Sequence, residues 1–240
     1  LPAEHAAVLT RAARPNNLAA TSQWIPLLAR VEDEVLHCFE HGGGVPYAAY
    51  ERFHEVMAEE SEQGVLGALR DAILPLVPGL PDALERGIEV LDVGCGSGRA
   101  MVHLARAYPR SRFAGLDLSR PAIETARREA SECGLANVRF EVRDVVEMRE
   151  RHAFDLVTAF DAIHDQARPD AALRRIAAAL RPGGVFLMQE VRATSHVETD
   201  AELPLAPFLY TVSCLHCLTV SLADDGAPGA PPLLSAQSTA

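Results

Sequence analysis

The segment VLDVGCGSG, residues 90–98, restricts the fold more than any other part of this chain. An apolar run ends in three alternating glycines, Gly94, Gly96 and Gly98. Lacking a β-carbon, such positions let a chain turn tightly and approach a ligand closely. A helical pattern follows, with Met101, Leu104, Ala105 and Tyr108 on one face. The same alternation then repeats. RFAGLDL reads as a second strand. Ser119 is placed to cap a helix that carries Pro121 in its first turn and runs to about residue 133. NVRFEV and FDLVTAF read as strands three and four. Leu173, Ile176, Ala177 and Leu180 mark a helix stopped at Pro182-Gly183-Gly184, and VFLMQEV reads as strand five. Strands alternating with helices specify an α/β fold with a doubly wound, mostly parallel sheet. Ligands of such sheets sit beyond the carboxyl ends of the strands, at the switch point.

Residues 1–87 show apolar spacing of the i, i+3, i+4 kind in EHAAVLTRAA, QWIPLLARVEDEVLHCF, AYERFHEVMAEES and LGALRDAILPLV. They form an expected helical N-terminal region, broken at Pro15-Asn16-Asn17, Gly42-Gly43-Gly44 and Pro78-Gly79. Residues 88–223 form the expected α/β domain. Within it, LPLAPFLYTVSCLHCLTVSLA at 203–223 carries no formal charge. Its prolines, hydroxyls and His216 favour a buried helix over the active-site end rather than a membrane span. Residues 224–240 are rich in Gly, Ala, Pro and Ser, and a disordered tail is expected there.

With 22 basic and 33 acidic residues the formal charge is −11, which disfavours a nucleic-acid partner. Five scattered cysteines suit a reducing compartment, hence a cytoplasmic location. Cys214-Leu-His-Cys217 has metal-like spacing, but no second pair accompanies it, so the sequence assigns no metal. Helices in residues 16–60 could pair across a homodimer.

The glycine segment departs from a dinucleotide fingerprint, because Arg99 occupies its third glycine position. Asp92, just before the turn, suits a cationic amino group better than a pyrophosphate. On these residues the chain resembles the class I S-adenosylmethionine-dependent methyltransferases, which have a Rossmann-like core, from about Glu89 to Val191. Further landmarks agree: Asp117 ends strand two, Asp144 ends strand three in EVRDV, and LRPGGVFLMQE looks like the family's helix-turn-strand five. The resemblance implies S-adenosyl-L-methionine as cofactor. Asp92 and the loop of Gly94, Cys95, Gly96 and Gly98 would hold its methionine end, Asp117 its ribose and Asp144 its adenine. Leu118, Val145 and Phe160 would complete the site.

After strand four comes FDAIHDQARPD. With the residues that follow, it resembles the His-Asp segment of winged-helix small-molecule O-methyltransferases. The resemblance makes His164 a general base for a hydroxyl, oriented by Glu190 at the end of strand five. Read without it, His164 serves equally as a helix cap and Glu190 as a strand-end acid. Asp161 and Asp165 read as solvated loop acids. FHEVMAEES resembles the helix preceding the core in the same enzymes, placing His54 and Met57 at a small-molecule substrate; the alternative is a helix that packs Phe53 and Met57 into a core. Similarity extends to a group of uncharacterised winged-helix methyltransferases through GGGVPYAAYERFHEVMAEES, FDLVTAFDAIHDQARP and PFLYTVSCLHCLTVSLA. Relative to that group a winged helix and a C-terminal strand pair are expected to be missing, leaving strand five as an apolar edge. The expected activity is methyl transfer to a small molecule at oxygen. The rival reading is a truncated form on the same fold that binds cofactor but turns over weakly or acts as a regulator.

Overall fold

A computed structural model describes residues 1–10, 17–194 and 196–223. The 224–240 segment, expected to be disordered, lies outside the described residues, as do Pro15 and Asn16. The N-terminal region contains α1 (Ala3–Leu9), α2 (Leu18–Thr21), α3 (Trp24–Leu28), α4 (Glu32–His41), α5 (Phe53–Ser61) and α6 (Leu80–Arg86). Two π-helical turns, Glu62–Leu66 and Leu69–Ile73, lie between α5 and α6. Then come β1 (Glu89–Val93), α7 (Arg99–Ala107), β2 (Arg112–Asp117), α8 (Arg120–Glu132), β3 (Val138–Val142), β4 (Phe154–Phe160), α9 (Pro169–Ala179) and β5 (Leu180–Gln189). After β5 follow α10 (Val197–Asp200), α11 (Ala206–Val212) and α12 (Leu218–Ala223).

The five strands pair in parallel in the order β3-β2-β1-β4-β5. The parallel pairing suits the patterning. Successive residues of a strand face opposite sides, and these strands are apolar on both. Val90, Phe113, Phe140 and Leu156 pack with α6, α7 and α8 on one side. Leu91, Ala114, Val157 and Ala159 pack with α9 on the other. A sheet covered on both faces is the setting in which all-parallel pairing occurs. The chain winds from β1 outward to β3 and then crosses to β4. This puts the switch point between the carboxyl ends of β1 and β4.

Two boundaries differ from the sequence expectation. Leu180 begins β5 rather than ending the helix, because its partner is Phe154 and the register shifts between Phe154 and Leu156. That irregularity accommodates Pro182-Gly183-Gly184 inside the strand. The 203–223 segment is also not one buried helix. It consists of α11, a π-helical turn at Ser213–Cys217, and α12, and only 22% of the Ala206–Ala223 window is buried. By length and composition this stretch could cross a membrane. In the fold Phe208, Val212, Leu215 and Val220 join the cluster of Trp24, Leu27, Val35, Tyr50 and Phe53. The Tyr50 hydroxyl donates to the Leu215 carbonyl at 2.6 Å, and the Val45 amide donates to Thr219 O at 3.2 Å. The third apolar cluster thus ties the last helices to the N-terminal layer. β5 is the outer strand, and its Met188 is 48% exposed.

Candidate active site

Each loop at the switch point is shaped by a local constraint. Gly94, Gly96 and Gly98 have φ of +68°, +52° and +74°, a region that L side chains rarely adopt. A β-carbon on Gly94 would strike Ala162 in the loop after β4, and one on Gly98 would lie 2.7 Å from Ala126 of α8 and closer still to Phe140. The turn therefore sits pressed against both neighbouring elements. Asp117 locks it from β2. Its Oδ2 accepts from the Gly96 amide at 2.8 Å, and its Oδ1 accepts from the Ser119 amide at 2.7 Å. Arg99, which spoils the dinucleotide pattern, pairs with Glu62 at 2.7 Å and so joins α7 to the N-terminal layer.

A cavity of about 560 Å³ opens beside this turn. That volume is in the usual range for small-molecule and cofactor clefts. Gly94, Gly96, Asp117, Leu118, Val145 and Phe160 line it, and His54 and Met57 face it from α5. Burial pushes the His54 imidazole below its usual pKa. Other expected residues stand behind the wall. Asp92 is buried, and its Oδ1 accepts from the Thr158 hydroxyl at 2.6 Å. Burial raises the Asp92 carboxyl to about 7, against the Thr158 hydrogen bond and aided by the charge of Asp117. The Cys95 thiol would lie 2.7 Å from a β-carbon on Gly115, so it points into the sheet; burial raises its pKa well above the ordinary value. Asp144 accepts from the Val146 amide at 2.9 Å and caps the short turn that carries Val145 into the cavity.

The loop after β4 carries a second constellation. Glu190 holds it at two points: Oε1 accepts from the Ile163 amide at 2.8 Å, and Oε2 bonds His164 Nδ1. The structure thus brings together the two residues, 26 apart in sequence, that were expected to act as a pair. His164 Nε2 lies 3.2 Å from Asp165 Oδ1. Burial alone would lower the His164 pKa, but hydrogen bonds to Cys217 and Glu190 and the charge of Asp165 outweigh it, raising the pKa to about 12. Asp161 has φ +49°, and burial raises its carboxyl to about 6.

Asp165 is not a solvated loop acid. Its side chain is 9% exposed and accepts from the Tyr47 hydroxyl at 2.8 Å. Sequence reading also passed over Tyr47, and it weighed Cys217 only within the Cys214-Leu-His-Cys217 run and not beside His164. Tyr47 lies in the GGGVPYAAY stretch, but only the folded chain brings it to a residue 118 positions away. His164 and Glu190 line a separate cavity of about 300 Å³, walled mainly by apolar residues of β5, α11 and α12. Asp165 faces the larger cavity. The His164–Asp165 pair therefore stands in the partition between the two.

A family model for the methyltransferase domain matches residues 84–220. The chain is 36% identical over 106 residues to a fatty-acid O-methyltransferase of Mycolicibacterium smegmatis, covering 44% of this chain and 38% of that protein. It is 33% identical over 112 residues to a ubiquinone biosynthesis O-methyltransferase of Neisseria meningitidis, covering 44% and 45%. The crystal structure of the [4+2]-cyclase SpnF superposes with a TM-score of 0.44 at 32% identity, over 46% of this chain and 42% of that one. The chain spans less than half the length of each of these relatives. With the family match extending over more than half of the chain and the five-stranded parallel sheet in place, the chain belongs to the class I S-adenosylmethionine-dependent methyltransferases.

Proposed function

We propose that this chain transfers a methyl group to a hydroxyl oxygen of a small-molecule acceptor. The observation that carries this reading is the loop after β4, where Glu190 fixes His164 in the partition between two cavities. S-adenosylmethionine, when bound, supplies an electrophilic methyl group on a sulfonium. The larger cavity fits it, because the glycine turn leaves its floor free of side chains and Asp117 is fixed at its edge. In this reading Asp117 accepts hydrogen bonds from the ribose hydroxyls, and Val145 and the Asp144 turn border the adenine. Asp92, buried behind the cavity wall with its pKa raised to about 7, becomes the negative counterpart of the amino group when the cofactor's positive charge draws off its proton. His54 and Met57 bound the acceptor side.

In this structure, against the effect of burial, Cys217, Glu190 and Asp165 hold the imidazole protonated. Nε2 takes the acceptor's proton only after Asp165 and Cys217 are displaced from it and it has given up its own, with Glu190 still on Nδ1. A positioned base of this kind contributes about 10²–10⁴-fold. We expect His164→Ala to lower turnover by about 10²-fold or more, with the affinity for S-adenosylhomocysteine unchanged by calorimetry. An unaffected rate would leave His164 a structural residue, and no binding of S-adenosylhomocysteine would reject the cofactor assignment.

A second reading has its own support: the nitrogen a base would use is already engaged by Asp165 at 3.2 Å. A chain that holds the cofactor without turnover, in a regulatory role, fits that contact. Cofactor binding without methyl transfer to any of a broad panel of phenols, alcohols and acids would favour it.

A further inference from the structure

We propose that His164 Nε2, Asp165 Oδ1 and Cys217 Sγ form a site for a divalent cation of the zinc class. The three side chains come from two distant parts of the chain, and one ligand atom from each lies within 4.8 Å of the others. The closest pair, Nε2 and Oδ1, is 3.2 Å apart. Nitrogen and oxygen ligands about 2.0–2.1 Å from a tetrahedral ion stand about 3.3 Å from each other, so this edge of the site is already at the right length.

The burial of Asp165 points the same way. Its side chain is nine-tenths buried, Oδ2 is anchored by the Tyr47 hydroxyl, and Oδ1 lies 3.2 Å from His164 Nε2. A buried carboxylate needs a positive partner, and here that partner is either a proton on Nε2 or a cation in its place. Glu190 on Nδ1 sets the tautomer and aims Nε2 at the same point, the arrangement commonly found behind a metal-bound histidine. Cys217 closes the π-helical turn Ser213–Cys217, a type of distortion frequent at functional positions. A nitrogen, oxygen and thiolate set is of borderline softness and selects zinc-like ions over magnesium or calcium. Three protein ligands leave one position for water or an acceptor oxygen, as in open rather than structural zinc sites. The site differs from the Cys214-Leu-His-Cys217 spacing that drew attention in the sequence: it uses only Cys217 of that run.

The inference rests on where His164 lies and not on its acting as a base. A cation on Nε2 excludes a proton there, so loading would remove that base. Cobalt(II) is the probe, added to the whole chain after chelator treatment in a thiol-free reductant. We expect one equivalent to bind, with a thiolate-to-cobalt charge-transfer band in the near ultraviolet, and zinc to displace it. Cys217→Ser should abolish the band and Cys214→Ser should leave it. Glu190→Gln should weaken binding by about 10-fold or more. Absence of saturable cobalt or zinc binding at about 100 µM, far weaker than protein zinc sites, would overturn the proposal. So would a band that survives in Cys217→Ser. If that variant fails to fold, a wild-type complex without the band overturns the proposal equally well. Calorimetry with S-adenosylhomocysteine on the same samples reports on the cofactor site separately, so the two readings fail independently.

Discussion

At the scale of single residues, the fold changes the chemistry of Asp92 more than its sequence context suggests. Ending an apolar run, it reads as an acid held out to a ligand. In the structure it is buried, with Thr158 as its hydrogen-bond donor and a pKa raised to about 7. Raised above the unfolded value, that pKa makes Asp92 favour the fold below about pH 4, and this contribution is lost as pH rises through about 7. We predict that Asp92→Asn, which keeps the acceptor for Thr158, matches wild type at pH 4 and exceeds it by up to about 4 kcal/mol at pH 8. Urea unfolding at pH 4, 6 and 8 measures this; a parallel pair of curves would reject it. Asp165 makes the complementary point. Its position beside His164 was visible in the sequence, but its burial was not, because Tyr47 and the last helices that enclose it come from other parts of the chain.

Among the elements, the helices after β5 depend most on contacts that no local pattern contains. Ala206–Ala223 has helical spacing throughout, yet it is interrupted by the turn at Ser213–Cys217. Tyr50 accounts for how that interruption is tolerated: its hydroxyl donates to the Leu215 carbonyl and contacts Thr219 Oγ1 at 2.7 Å. Removing one partner of a buried hydrogen bond costs about 1–3 kcal/mol. We predict a loss of that size for Tyr50→Phe in urea unfolding. Amide exchange should speed up at residues 213–219 more than in β1 or β4; uniform acceleration would show that the bond does not act locally. Gly44 belongs to the same junction. In the sequence it is one of three glycines breaking a helical pattern. In the fold a β-carbon there would lie 2.8 Å from the backbone carbon of Leu222 and closer still to other backbone atoms, so α12 can approach only a glycine.

Across the whole molecule, the larger cavity is walled on one side by the sheet's switch point and on the other by the N-terminal layer, through Tyr47, Phe53, His54 and Met57. A ligand that touches both should stabilise the chain as a unit. S-adenosylhomocysteine at a hundredfold its Kd should add about 2.7 kcal/mol, read as a concentration-dependent rise in Tm; a Tm that does not move would place the ligand elsewhere or nowhere. The α/β class, the succession of strands and helices along the chain and the glycine turn were legible in the sequence. They follow from period-2 and period-3.6 patterning, from glycine's freedom at positive φ, and from the rule that puts ligands at strand ends, local properties that each need only a short stretch of chain. Asp117 as a landmark and His164 with Glu190 as a pair were expected only through the resemblance to methyltransferases, because no sequence period links residues 26 apart. The partition between the two cavities, the burial of Asp165 and the arrival of Cys217 beside His164 were decided by the tertiary structure alone. They depend on how the last helices dock against α5 and its neighbours, and that docking is set by packing between segments up to 169 residues apart, where no sequence period operates.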